Sequence, residues 1–248
     1  MMIETHDIKR PPAHLVAGLK EIGTALAAST LANFCGIRNA HVLGPRPFTP
    51  GVTLAGPALT LQFLPLREDL YGADEYGDPE RQLHRHVLYH TQPGDIVVVD
   101  ARGDMQSGIF GNMMMTYFKG RGGAGVVIDG CMRDWAGSKD LGLGFWLRGI
   151  TPNFHTQVSL YPHAVNTTIA LNNVTVVPGD IIVADDDGVV VVPVALAEKV
   201  ITQAKVHHDW EEFSRIRLSE GGDLRRYYPL ADAARPEFAA WLAAQSKK

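Results

Sequence analysis

The stretch that most constrains this chain is Val126-Val-Ile-Asp-Gly-Cys-Met-Arg-Asp134. Residues 125–128 make an apolar, β-branched run that reads as a buried strand. Asp129-Gly130 predicts a turn after it, leaving Arg133 and Asp134 side by side just beyond. Such a pair then stands at the mouth of a sheet, where α/β folds gather their ligands. A carboxylate there can hold a hard divalent cation, and an arginine can clamp a carboxylate through two parallel bonds. A plain surface ion pair at a helix start uses the same two residues, so the dipeptide alone does not decide between them.

Composition narrows the field. The chain has 248 residues, enough for one large domain or two small ones, and its 46% hydrophobic and 20% charged content suits a compact globule. A net charge of -4, with no basic block, argues against a nucleic-acid partner. Cys35 and Cys131 are too few for a disulfide framework and fit a reducing cytoplasm. The first residues lack the basic and apolar regions of a signal peptide, and no uninterrupted apolar run approaches the roughly 18 residues of a membrane span. The expectation is a cytoplasmic protein with no membrane and no nucleic-acid partner.

Along the chain, Leu15, Leu19, Ile22, Leu26 and Leu31 recur at helical spacing, predicting a helix over 13–35 that stops at Cys35-Gly36. Residues 44–51 read as a loop and 52–63 as a strand, with Gly56-Pro57 placing it at an edge or a bulge. Residues 66–80 form an acidic loop. A helix over about 79–91 carries His84, His86 and His90. His86 and His90 share a face, but no metalloprotease glutamate or third ligand accompanies them, so they read as ordinary helix histidines. Pro93-Gly-Asp-Ile-Val-Val-Val-Asp100 is a turn and a buried strand, echoed by Pro178-Gly-Asp-Ile-Ile-Val-Ala-Asp185. The echo predicts two strands entering one sheet through the same kind of turn. Residues 101–108 read as a polar loop, and 109–119 as a helix.

The start of that helix matters. Its first amides lack partners within the helix and attract an anion, and Gly111 lets a ligand approach the backbone. The amides are the candidates; Met113, Met114 and Met115 are expected to fill core. Residues 120–125 hold four glycines, yet they follow a helix and precede a strand, the reverse of a dinucleotide fingerprint. Further on, 135–141 reads as a short helix, 145–148 as a strand, and 151–157 as a loop with His155 as a possible contact. Strands follow around 168–177, 181–184 and 189–192. Asp185-Asp-Asp-Gly188 lacks EF-hand spacing and reads as a hairpin turn. A long polar helix over 195–219, carrying Glu211 and Glu212, precedes a Pro-bearing tail.

Leu54-Ala-Gly-Pro-Ala-Leu-Thr60, the two Pro-Gly-Asp segments, Gly125 to Asp134 and the run to Pro193 together resemble the RraA-like family, over roughly residues 14–230. That family includes class II 4-hydroxy-4-methyl-2-oxoglutarate and 4-carboxy-4-hydroxy-2-oxoadipate aldolases. The resemblance implies an α/β, β/β/α swivelling-domain fold as a single domain, with an N-terminal helix and a long C-terminal helix packing on a neighbouring subunit. It also implies a homotrimer or homohexamer. It implies a Mg²⁺ or Mn²⁺ ion anchored by Asp134 largely through water, substrate oxygens bound by Arg133, and a pyruvyl carboxylate on the amides of Met113 and Met114 beside Gly111. Glu211 or Glu212 would arrive from a neighbour to orient metal-bound water. One departure stands out: Asn112 occupies a position that is acidic in these aldolases, and an amide cannot accept the proton. Asp104 is the nearest replacement. The implied activity is a lyase cleaving a 4-hydroxy-2-oxo acid to pyruvate, with oxaloacetate decarboxylation as a side activity. The rival is a non-catalytic regulator of an endoribonuclease, whose relatives carry glutamine in place of Asp134. A methyltransferase label also used in the family finds no glycine-rich S-adenosylmethionine loop here.

Overall fold

Both Pro-Gly-Asp segments fold alike. Gly94 (φ 91°) and Gly179 (φ 90°) supply the left-handed residue that such a turn requires. Asp95 then accepts from the Gln92 amide at 2.8 Å, and Asp180 from the Val177 amide at 2.9 Å. Each turn launches a strand into the same sheet, as the echo predicts.

The computed structural model describes residues 4–69, 78–154 and 159–245; His155 and much of the acidic segment 66–80 lie outside them. The strands are β1 (Arg46–Pro47), β2 (Leu54–Pro65), β3 (Ile96–Gly108), β4 (Gly125–Met132), β5 (Gly144–Ile150), β6 (Leu160–Val165), β7 (Ile169–Leu171), β8 (Val174–Val176), β9 (Ile181–Asp185) and β10 (Gly188–Val192). The helices are α1 (Ala13–Cys35), α2 (Leu83–Tyr89), α3 (Asn112–Gly120), α4 (Trp135–Ser138), α5 (Val194–Ser219), α6 (Leu224–Tyr227) and α7 (Arg235–Gln245). The main sheet runs β1-β5-β4-β3-β2-β9-β10, with β6 also on β2. β2, β3, β4 and β5 run parallel to one another, whereas β1 on β5, β6 and β9 on β2, and β10 on β9 are antiparallel. The segment just before β1 bonds to β10 through the amide of Val42, while β1 bonds to β5, so the sheet curls into a nearly closed barrel.

Period-two alternation sorts the side chains. Val98, Val127, Trp146, Ile182 and Val189 fill the inside with the β7–β8 hairpin, whereas Val97, Val126, Ile128 and Leu147 face out under α2 and α3. Ile181, Val183, Val190 and Val192 face out under α1 and α5. The α/β class with N- and C-terminal helices is therefore what forms.

Several local expectations are corrected. Pro57 lies inside a central strand: pairing to β3 begins only at Ala58, so the missing N–H removes no ladder bond there. Asp129-Gly130 is not a turn but part of β4, because the buried Asp129 carboxylate bonds Arg148 on β5. Residues 101–108 continue β3 with register shifts instead of forming a free loop. Around 168–177 there are two strands, with Asn172 left-handed between them, and β6 was not foreseen. Helix α4 spans only four residues. Helix α1 breaks at Gly23 (φ 70°), where Asp185 accepts from the Thr24 amide and hydroxyl at 2.8 and 2.6 Å. This restart shifts the buried face, so Thr24, Ala27 and Leu31 are buried while Leu26 is only half-buried. By length and composition α1 could cross a membrane, but here it packs on β2, β9, β10 and α5.

Candidate active site

The end of β4 is tied to two neighbouring segments. Ile109 donates to the Cys131 carbonyl at 3.0 Å, Arg133 to Phe110 at 3.0 Å, and Thr151 to Met132 at 2.9 Å. These bonds continue past the point where regular pairing between β3 and β4 breaks down. They bring the residue pair 133–134 against the entry to α3.

Asp134 is then forced into the left-handed region (φ 56°), which aspartate tolerates better than most residues. Its carbonyl accepts from the Gly137 amide and the Ser138 hydroxyl, both at 3.1 Å, so α4 fixes its backbone. The side chain remains 46% exposed, and its Oδ2 lies 3.7 Å from Arg133 Nε. That separation is an ion pair with room in it, not a closed bidentate bond.

Gly111 is the N-cap of α3 and offers no side-chain cap. A Cβ added there would sit 2.5 Å from Asp134 Oδ2 and 3.1 Å from Arg133 Nε. The carboxylate thus occupies the space that only glycine leaves open. The amide of Met115 makes the first bond inside α3, to the Gly111 carbonyl at 3.1 Å. The amides of Asn112, Met113 and Met114 form the open end of the helix. Asn112 points its amide toward α4, where a Cβ on Gly137 would meet its Nδ2 at 2.8 Å.

The structure therefore gathers Gly111, Asn112, Met113, Met114, Arg133 and Asp134 in one place. The methionines behave unequally: Met115 is core, Met114 packs beside it, and Met113 is 76% exposed, against the expectation that all three fill core. Glu211 and Glu212 lie on α5, which packs on α1 and the last helices. Within the chain Glu211 pairs with His207 Nε2 at 3.0 Å and Glu212 with Arg215 at 2.7 Å. The Arg215 guanidinium holds Glu212 below the usual carboxylate range. Asp104 accepts from the Ser107 amide (2.7 Å) and the Ser159 hydroxyl (2.8 Å), so local bonds occupy it. His86 and His90 are engaged by the Glu80 carbonyl and the Thr5 hydroxyl.

Among the described residues no three His, Cys, Asp or Glu side chains converge. A site built on the Asp134 carboxylate would suit Mg²⁺, which keeps most of its water and is held by one or two carboxylates. Sequence reasoning missed a pocket between α2 and α3, lined by Arg85, Leu88, Tyr89, Met113, Met114 and Tyr117. No periodicity could have revealed it, because it depends on how two short helices meet.

Comparison with known proteins bears on this geometry. The RraA-like family model, described as Aldolase/RraA, matches residues 24–191. A putative 4-hydroxy-4-methyl-2-oxoglutarate aldolase of Halalkalibacterium halodurans is 37% identical over 142 residues, 57% of this chain and 67% of that protein. Protein DlpA of Legionella pneumophila is 26% identical over 83% of this chain, which spans only 31% of DlpA. The crystal structure of Streptomyces coelicolor RraAS2, titled an unusual member of the RNase ES inhibitor RraA protein family, superposes with a TM-score of 0.76. It is 41% identical, covering 84% of this chain and 99% of that one.

Proposed function

The chain belongs to the RraA-like (Aldolase/RraA) family, and on that premise we propose that it is a divalent-metal-dependent lyase cleaving a 4-hydroxy-2-oxo acid to pyruvate. The observation that carries this reading is the Asp134 carboxylate, half exposed and seated in the gap left by Gly111 at the start of α3. A substrate carboxylate on the amides of Met113 and Met114 would face Asp134, and two anions so placed repel unless a cation joins them.

Mg²⁺ or Mn²⁺ held by Asp134 would supply Lewis-acid polarisation of the 2-oxo group, offsetting the charge that develops as the C3–C4 bond breaks. Arg133 binds the same substrate oxygens and adds a second positive charge that is fixed before the reaction. The α3 amides orient the carboxylate. Removal of the 4-hydroxyl proton needs a base, and α5 of a neighbouring copy provides two carboxylates; C4 leaves as an oxo fragment when the C3–C4 bond breaks, and the proton taken up returns to C3 to give pyruvate. We assign the role to Glu211, since the Arg215 guanidinium already engages the Glu212 carboxylate at 2.7 Å. Asn112 donates and accepts hydrogen bonds there without taking a proton. Oxaloacetate decarboxylation passes through the same developing charge and is expected as a side activity. We place the protein as soluble, in the cytoplasm, and as a trimer or hexamer of one domain.

The test is pyruvate release from a 4-hydroxy-2-oxo diacid. EDTA should abolish it, added Mg²⁺ should restore it, and Asp134→Ala should remove it at any metal concentration. Full turnover after chelation, or in the variant, would end the proposal. A regulator of an endoribonuclease is the second reading, favoured by the 41% identity to RraAS2. Inhibition of an RNase E-type enzyme by a protein devoid of lyase activity would establish it instead.

A further inference from the structure

From the pocket between α2 and α3 we infer the kind of substituent that the substrate carries on C4: an apolar or aromatic group with an anionic end. This rests on the lyase reading above. The pocket has a volume of about 380 Å³ and is bounded by Leu88, Tyr89, Met113, Met114 and Tyr117, with Arg85 at its wall. Tyr89 and Tyr117 meet edge to face at 6.2 Å. Met113 is 76% exposed, Tyr117 43% and Tyr89 36%. Large apolar side chains left open around a concavity are a recognition surface more often than a neutral one.

Two observations select the substrate as the occupant. Met113 and Met114 serve both places: their amides form the open end of α3, and their side chains wall the pocket. A chain of four carbons spans about 4 Å from its carboxylate to C4, and Tyr117 lies four residues, about 6 Å of helical rise, below Met113. A substituent on C4 therefore falls beside the first turn of α3, where the pocket begins. The second observation is Arg85. Its Nε donates to the Tyr89 hydroxyl at 3.2 Å, which in turn donates to Glu80 Oε1 at 3.1 Å, and among the described residues Arg85 itself makes no direct ion pair. A guanidinium with no carboxylate in direct contact, at the wall of an apolar pocket, suits an acidic group at the far end of the substituent.

The experiment measures binding, so it does not depend on turnover. Pyruvate, 2-oxo-4-phenylbutanoate and its para-carboxy derivative are titrated calorimetrically against the full chain in excess MgCl₂, with mass measured in parallel. The phenyl compound should bind about tenfold more tightly than pyruvate, the equivalent of burying most of one ring. Tyr117→Ala should cut that preference to about threefold or less. The para-carboxylate should gain about fivefold more, lost in Arg85→Gln. Equal affinity for pyruvate and the phenyl compound, or a preference untouched by Tyr117→Ala, overturns the inference. So does a change in assembly mass in Tyr117→Ala with no change in preference, which would give this face to a second copy. If the preference holds but no 4-hydroxy-2-oxo acid is cleaved, the lyase reading fails and the pocket stands.

Discussion

Gly111→Ala isolates the geometry on which the proposed chemistry depends. The backbone at Gly111 (φ -113°, ψ 177°) is open to any residue, so alanine introduces no backbone strain. Its methyl group, however, would start 2.5 Å from Asp134 Oδ2, where ordinary contact begins at 3.4 Å. The carboxylate must retreat by about 0.9 Å, the difference of those distances, and Arg133 Nε by a few tenths. Displacements near 1 Å in a reacting constellation cost about 100-fold in rate, which corresponds to about 2.7 kcal/mol of transition-state stabilisation. Alanine is also the poorer N-cap, by about 0.5 kcal/mol, so the melting temperature should fall by only about 2 °C. The assay pairs kcat/KM for pyruvate release with Mn²⁺ affinity by electron paramagnetic resonance. Both should collapse in a protein that melts almost normally. Unchanged Mn²⁺ affinity together with unchanged turnover would refute the idea that the gap at Gly111 is there to seat Asp134.

Two further expectations concern the scaffold. Arg10 binds the fully buried Asp95 carboxylate through Nε and Nη2, at 3.0 and 2.7 Å, and the His90 carbonyl at 2.7 Å. Arg10→Ala leaves that carboxylate without a cation and should cost about 3 kcal/mol in urea unfolding; a loss below about 1 kcal/mol would show that Gln92 alone satisfies Asp95. Burial raises the pKa of Asp100 from 3.8, and the nearby Asp129 adds to that, opposed by the Arg102 amide. A raised folded value means that the native state holds the proton more tightly, so this group's stability is present below about pH 4 and falls as pH climbs through the folded value. Asp100→Asn keeps an acceptor for the Arg102 amide and removes that loss. The variant should melt above the parent at pH 7 and level with it near pH 3.5; a variant less stable at both would contradict this.

β3 and β9 were legible because their apolar runs are short, β-branched and launched by Pro-Gly-Asp turns, whose geometry is local, whereas β1 and β6 carry no such signal. The Arg133–Asp134 pair and the glycine at 111 were legible for the same reason. Asp129 was misread because a turn dipeptide was weighed without its partner: Arg148 lies 19 residues away and pulls the carboxylate into the sheet. Gln62, Asp100, Asp129 and Arg148 in fact line up across four parallel strands, each at or one residue beyond a registered pair. Only strand order reveals such a row. Met113 was misassigned because three adjacent methionines cannot all face the core of a helix whose period is 3.6.

On the proposed reading, turnover needs more than one copy. The segments 108–110, 131–133 and 151–153 are cross-tied by backbone bonds, which fix the backbone that carries Arg133 and leads into Asp134. If Asp134 holds the proposed cation, a backbone fixed in this way lowers the reorganisation needed at the moment of reaction. The proposed base is positioned differently. Glu211 rides on the outer half of α5, whose nearest core is the small cluster of Phe213, Tyr227 and Ala234, distant in composition and packing from the barrel. Within the chain it bonds the His207 imidazole, one turn back on α5, at 3.0 Å. On the proposed reading, cation affinity is then a property of one chain and catalysis a property of the contact between two. Dilution below the dissociation constant of the assembly should therefore erase turnover while leaving Mn²⁺ binding intact, a separation that a site complete within one chain could not produce.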